Sequence, residues 1–333
     1  MNSGPYVFVP CAGGCVLFSQ KMSPSLAGLA LALACVGMVV VEPPVQVYGQ
    51  VDFNSSAVAG ASSTSLSTAA SGLVVTFFGA NCVGDTGFNR VICFGTAMGD
   101  DPTTFTYGQA GSKTSSGANV GGVSATTLSA PTGVYYTSGN KGLFVADTGN
   151  NRALCFPVQG NTANVVLGQS GSFASNTANK GGISSDSMNA PRGIVVDPMD
   201  NVYVADTGNN RVLFYQKGVM TGAQRVYGQA NFSVGDPPGT ASALTLSGPT
   251  GLALDSRLNL YVCDTNCNRV LKYVTPSAAA SFVLGQPGMT TCTAGVGPSS
   301  LSGPQAVAIS PNGESSIERH CVEQTMLRRC LDR

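Results

Sequence analysis

Val202-Tyr203-Val204-Ala205-Asp206-Thr207-Gly208-Asn209-Asn210-Arg211-Val212 reads as two short apolar runs bent around a polar turn. β-Branched and aromatic residues suit half-buried strands. In the turn, Asp can accept backbone N–H groups, while Gly and Asn tolerate positive φ. Working outward, Gly193 to Asp197 precedes Asn201 to Ala205, and Arg211 to Gln216 precedes Gln224 to Gly228, each a short apolar run. Pro198-Met199-Asp200 links the first two runs. Four strands joined in order by tight connections form one unit with a hydrophobic face to bury.

The unit recurs. Gly-Gln after an apolar run stands at Gly49-Gln50, Gly108-Gln109, Gly168-Gln169, Gly228-Gln229 and Gly285-Gln286, spaced by 57 to 60 residues. Pro-x-Gly recurs at Pro131, Pro191 and Pro249, and weakens to Pro304-Gln305-Ala306. The turn recurs with its Asp and Arg at Asp85 and Arg90, Asp147 and Arg152, Asp206 and Arg211, and Asp264 and Arg269. Three markers on one period predict blades arranged around an axis. The fold expected is an all-β propeller of about five four-stranded blades, the last incomplete. The units run roughly 72–109, 133–169, 193–229 and 251–286, with a partial unit at 306–313 closed by 45–50.

Val202 to Val212, with near copies at Leu143 to Leu154 and Leu260 to Leu271, resembles the core signature of NHL repeats. The resemblance covers about Val45 to Ser310 and implies a β-propeller. It also implies binding of proteins, RNA or sugars through a propeller face, although a related lyase and lactonase-like propellers carry metal sites. The units here are longer than the family's usual spacing, with the surplus between Gly-Gln and Pro-x-Gly. Those segments are rich in Gly, Ser, Thr and Asn, and connections of about twenty residues are uncommon unless functional or disordered. Each carries an apolar residue three positions before its Pro: Leu128, Met188, Leu246 and Leu301. Phe173 and Phe232 recur four and three residues after their Gln. Ordered structural packing and a ligand-contacting rim are both open readings.

Little chemistry is visible. The single His, His320, lies in the C-terminal tail, which leaves no base for a Ser-His-Asp or Cys-His arrangement and no imidazole set for zinc. Asp197 and Asp255 stand at the ends of innermost strands, where other units have Thr76, Thr137 and Ser310. They are weak candidates for a metal site, because two carboxylates fall short of a hard-cation cage. The Asp and Arg of each turn occur once per repeat, which fits turn-fixing and blade-bridging better than catalysis. No catalytic residue and no cofactor is expected. Charge is balanced at 17 basic and 17 acidic residues, which argues against nucleic acid as a partner.

Binding of a protein or glycan ligand is therefore expected, with a metal-dependent hydrolase using Asp197 and Asp255 and an RNA-binding propeller as alternatives. Leu26 to Val41 is sixteen uncharged residues and suits a cleaved export signal or a signal anchor within region 1–44. Either places the propeller outside the cytosol, with membrane contact only through that segment. The eleven Cys then meet an oxidising compartment. Cys82 and Cys93 sit symmetrically about their turn, and Cys263 and Cys267 bracket another, so both are candidate disulfides. Asn54 and Asn231 head N-glycosylation sequons. The final stretch, 314–333, carries eight charges and lacks the repeat pattern, and is expected to be helical or disordered.

Overall fold

The computed structural model describes residues 60–62, 65–67, 69–75, 81–94, 105–137, 142–158, 160–309 and 315–318. Within them the chain forms four antiparallel four-stranded blades and a further two-stranded sheet. The first blade comprises β1 (Ala70–Val75), β2 (Asn81–Asp85), β3 (Arg90–Phe94) and β4 (Phe105–Tyr107). The second comprises β5 (Val134–Tyr136), β6 (Gly142–Asp147), β7 (Arg152–Pro157) and β8 (Val165–Leu167). The third comprises β9 (Ile194–Val196), β10 (Val202–Asp206), β11 (Arg211–Tyr215) and β12 (Arg225–Tyr227). The fourth comprises β13 (Pro249–Leu254), β14 (Leu260–Asp264), β15 (Arg269–Tyr273) and β16 (Phe282–Leu284). In every blade the strands are paired in chain order.

The chain is thus an all-β propeller, with four complete blades among the described residues, where about five, the last incomplete, were expected. After the fourth, β17 (Ala306–Ile309) pairs with β18 (Ser315–Glu318), Val307 opposite Ile317. This strand corrects the expectation of a helical or disordered tail over 315–318. The polar Ser-Ser-Ile-Glu sequence pairs along β17, but no Asp-Thr-Gly-Asn-Asn-Arg turn follows it to start a third strand. Region 1–44, the closing segment 45–50 and the rest of the tail lie outside the described residues, as do Asn54, Thr76, Ser310 and His320. No helix among the described residues is long and apolar enough to cross a membrane.

The hydrophobic core lies between blades rather than on the axis. Leu143, Val145, Leu154 and Phe156 of the second blade meet Cys82, Val91, Cys93 and Tyr107 of the first. The same interdigitation recurs between the second and third blades and between the third and fourth. A smaller cluster joins Tyr261, Cys263 and Val270 to Leu301 and Val307. On the axial side the Gly of Pro-x-Gly allows consecutive blades to touch. A Cβ at Gly133 would fall 2.2 Å from Arg192 O, and one at Gly193 would fall 1.9 Å from Thr250 O.

Candidate functional site

The repeated turn is a structural staple. In each, Asp lies directly opposite Arg across the hairpin, and all eight side chains are fully buried at 0% exposure. Arg211 Nε donates to Asp206 Oδ2 at 2.7 Å, Nη1 to Phe232 O, and Nη2 to both Ser184 O and Ser187 O. Arg152 does the same with Asp147, Phe173, Ser124 and Thr127. Arg269 uses Asp264, Met289, Ser242 and Thr245, and Arg90 uses Asp85, Lys113 and Ser65. One guanidinium therefore ties its own turn to the segment before its blade and the segment after it. The other carboxylate oxygen accepts the N–H of Ser67, Ser129, Asn189 or Ser247. Burial pushes Asp147, Asp206 and Asp264 above the usual carboxylate range, while the Arg and N–H donors pull against it.

The rest of the turn reaches the next blade. Thr86, Thr148, Thr207 and Thr265 donate to the carbonyls of Pro131, Pro191, Pro249 and Pro304 at 2.6–2.8 Å. The last Asn of each turn is left-handed, at φ 52–54°, and its Oδ1 accepts an N–H just before the next Pro. Positive φ falls on this Asn, not on the turn Gly. Gly208 is needed for space instead, since a Cβ there would lie 2.6 Å from Asn189 Cγ.

The long inter-blade segments are ordered by the same network. Their apolar anchors Leu128, Met188, Leu246 and Leu301 are at most 2% exposed. Each packs on the Gly of the preceding Gly-Gln, which has φ of 83–93°. The Gln side chains donate to carbonyls of the turn and of the following segment, as Gln169 does to Asn151 O and Thr177 O.

Asp197 and Asp255 are occupied by their own hairpins. Asp197 Oδ1 accepts from Met199 N and Asn201 N, and Oδ2 from Asn201 Nδ2 at 2.8 Å. Asp255 repeats this with Arg257 and Asn259. Burial alone would raise Asp255, but the Asn259 and Arg257 donors, together with Lys272, outweigh it and hold the carboxyl low. Among the described residues no group of three or more His, Cys, Asp or Glu converges to hold a metal ion.

Cys82 and Cys93 are disulfide-bonded across neighbouring strands, with Cα atoms 4.0 Å apart. The Cys263 and Cys267 pairing is corrected. Cys267 bonds Cys292 in the following segment, Cα to Cα 4.3 Å, while Cys263 is buried in the cluster facing β17 and joins neither disulfide. Cys263 lies on a strand and Cys267 in the turn beyond it, so they belong to different contacts. Asn150 and Asn209, at the same turn position as Cys267, instead pair their amides with Asn119 and Asn179 of the segments before their blades. The buried Cys155 thiol is pushed up to about 12 by burial and then by Asp200. That leaves it no thiolate character at neutral pH. Two disulfides fit an oxidising compartment.

The uncommitted chemistry lies elsewhere. A groove of about 530 Å³ opens between the third and fourth blades, with Tyr203, Phe214, Gln216 and Arg225 on one wall and Leu258 and Pro276 on the other. The Arg225 guanidinium lies 4.8 Å from the Phe214 ring centre, a cation–π contact, and its charge also acts on the neighbouring Tyr227 hydroxyl. A second hollow of about 350 Å³ shares Arg225 and Pro276 and extends to Asn231 and Phe232. Asn231 of the sequon is exposed on its rim. The other blades place Phe105, Val165 and Phe282 where the third places Arg225. Sequence reading passed over Arg225 because it opens an otherwise apolar strand. Aligning the four outer strands would have exposed it as the one charged residue at that position.

A family model described as NHL repeat matches residues 188–214 and 246–273. No curated protein matches the chain. Among solved structures, a streptogramin B lyase is 15% identical with a TM-score of 0.45, over 75% of this chain and 68% of the other. A catalytically inactive virginiamycin B lyase from Staphylococcus aureus with quinupristin is 12% identical, TM-score 0.45, over 76% and 71%. A protein of unknown function from Bacteroides thetaiotaomicron VPI-5482 is 17% identical, TM-score 0.49, over 74% and 55%.

Proposed function

From the premise that this chain is an NHL-repeat β-propeller, we propose that it is a non-catalytic binding or scaffolding module. It takes a protein or glycan ligand in the groove between its third and fourth blades and works outside the cytosol. The observation that carries this reading is Arg225. Groups that hold the fold recur in every blade and spend their hydrogen bonds internally, whereas a ligand contact is needed once. Arg225 breaks the repeat, stands exposed beside an aromatic ring, and faces an open groove. An arginine edge beside Phe214 and Gln216 suits a ligand that offers both carboxylate or hydroxyl oxygens and an apolar face.

The test is a screen of the full chain on glycan and acidic-peptide arrays, followed by Arg225→Ala. Loss of at least tenfold in affinity, with the melting temperature kept and Arg192→Ala without effect, supports the groove. Equal binding by Arg225→Ala removes the groove from the reading. One equivalent of metal that is lost on Asp197→Asn would replace the binding module with the metal-dependent hydrolase.

A further inference from the structure

The groove between the third and fourth blades is walled in part by chain connections, and these are apolar where connections are ordinarily polar. Met199, Leu258 and Pro276 line it directly. Val219 follows Gln216 and Lys217 on one wall, and Val274 precedes Thr275 and Pro276 on the other. Met199 is 57% exposed and each valine 49%, so these side chains serve no core. Single exposed apolar residues need no cause. A gathering of them around one groove is characteristic of an interaction site.

Leu258 supplies a second, independent observation. The hairpins Asp197 to Asn201 and Asp255 to Asn259 are equivalent, since each Asp accepts the N–H groups two and four residues on. The fourth residue of both is left-handed, Asp200 at φ 66° and Leu258 at φ 62°. Asp tolerates that conformation far better than Leu. A leucine held there, on the groove wall, gives up backbone ease for an apolar surface.

The polar groups around the groove do not suit a sugar. Asn201 donates to Asp197 through both its backbone and its amide, its Oδ1 accepts from Lys217 N, and Lys217 Nζ is held by Asp200. Tyr203 and Phe214 are at most 5% exposed, which leaves little ring face for a sugar to stack on. Sugar hydroxyls would be buried against groups already committed, at an uncompensated cost. Arg225 differs from the rest. Asp197 and Asp200 are spent on Asn201 and Lys217, so neither neutralises it.

On the reading that this groove is the binding site, we infer that its partner is a polypeptide segment carrying one Asp or Glu between apolar side chains. The carboxylate meets Arg225. The flanking side chains cover Met199 and Val219 on one wall and Leu258 and Val274 on the other. Apolar burial supplies the affinity, and the ion pair fixes the register of the segment in the groove.

The probes for the full chain are an array of short peptides with a central Glu among varied apolar neighbours, the same array with Gln, and a glycan array. The best Glu peptides are expected to bind about tenfold more tightly than their Gln counterparts, and Arg225→Ala should erase that difference. Leu258→Asn, which suits a left-handed backbone, should weaken the Glu peptides by about threefold or more while the melting temperature stays or rises. Glu and Gln peptides bound alike, or Leu258→Asn without effect on binding, would overturn the inference. Glycan binding alone that depends on Arg225 would overturn it too, yet would keep the groove as the site. Peptide binding untouched by Arg225→Ala would remove the groove itself.

Discussion

At the scale of single residues, the buried Arg of each turn has more to lose than an ordinary ion pair. Arg211 places four hydrogen bonds on one carboxylate and three carbonyls, with neither charge touching water. Truncating one partner of such a pair leaves a bare buried charge and three unmet carbonyls. Arg211→Met keeps the aliphatic volume and is expected to cost about 3–5 kcal/mol, read by urea denaturation. Arg257→Met, at an exposed position, should stay within about 0.5 kcal/mol. Similar losses for the two would show that the fork contributes only volume. Phe173 and Phe232 pack at the edges of the core clusters while their carbonyls receive Arg152 and Arg211.

At the scale of elements, the Gly-Gln step combines two demands on one glycine. Gly168 sits at φ 93°, and a Cβ there would meet Met188 Cγ at 2.6 Å, whereas Gly171 sits at φ 75° with open space around it. Gly171→Ala should cost about 1–2 kcal/mol for the left-handed backbone. Gly168→Ala should cost about 1–3 kcal/mol more by overpacking the anchor, and Met188→Ala in that background should relieve part of it. Equal losses in a thermal melt would deny the anchor its role. Elements of this kind were readable from sequence because each recurs with a physical reason attached: Asp and Arg at fixed offset, Gly before Gln, an apolar anchor before Pro. Cys82 and Cys93 were readable because a hairpin is symmetric about its turn. Cys267 was not, since Cys292 lies in a segment whose path no periodicity fixes. Ser315–Glu318 was hidden by its polar composition, because its pairing comes from the neighbouring strand rather than from its own pattern. Arg225 was hidden for the opposite reason, a charge read as noise within an apolar strand.

At the scale of the whole molecule, the blades are held to one another by polar contacts as well as by the cores between them. The fourth blade adds a covalent link from its turn to the segment after it. Closing a loop with a sequence separation of 25 residues stabilises by roughly 2–4 kcal/mol, chiefly through the unfolded chain. Cys292→Ser should lose about that much, and limited proteolysis should then cut first within 287–303. First cleavage inside a blade, or unchanged stability, would count against this role. The turn contacts bear also on how such a chain can grow. Each turn carries the donor for a carbonyl in the next unit, and each unit carries the acceptor for the turn before it. A copied stretch of one full period, cut anywhere, brings both halves of that match and joins in register. A copied fragment of a period leaves a donor and an acceptor facing nothing. Lengthening by gene duplication is therefore restricted to whole blades, and the near-constant 57 to 60 residue spacing is the trace that such a restriction leaves.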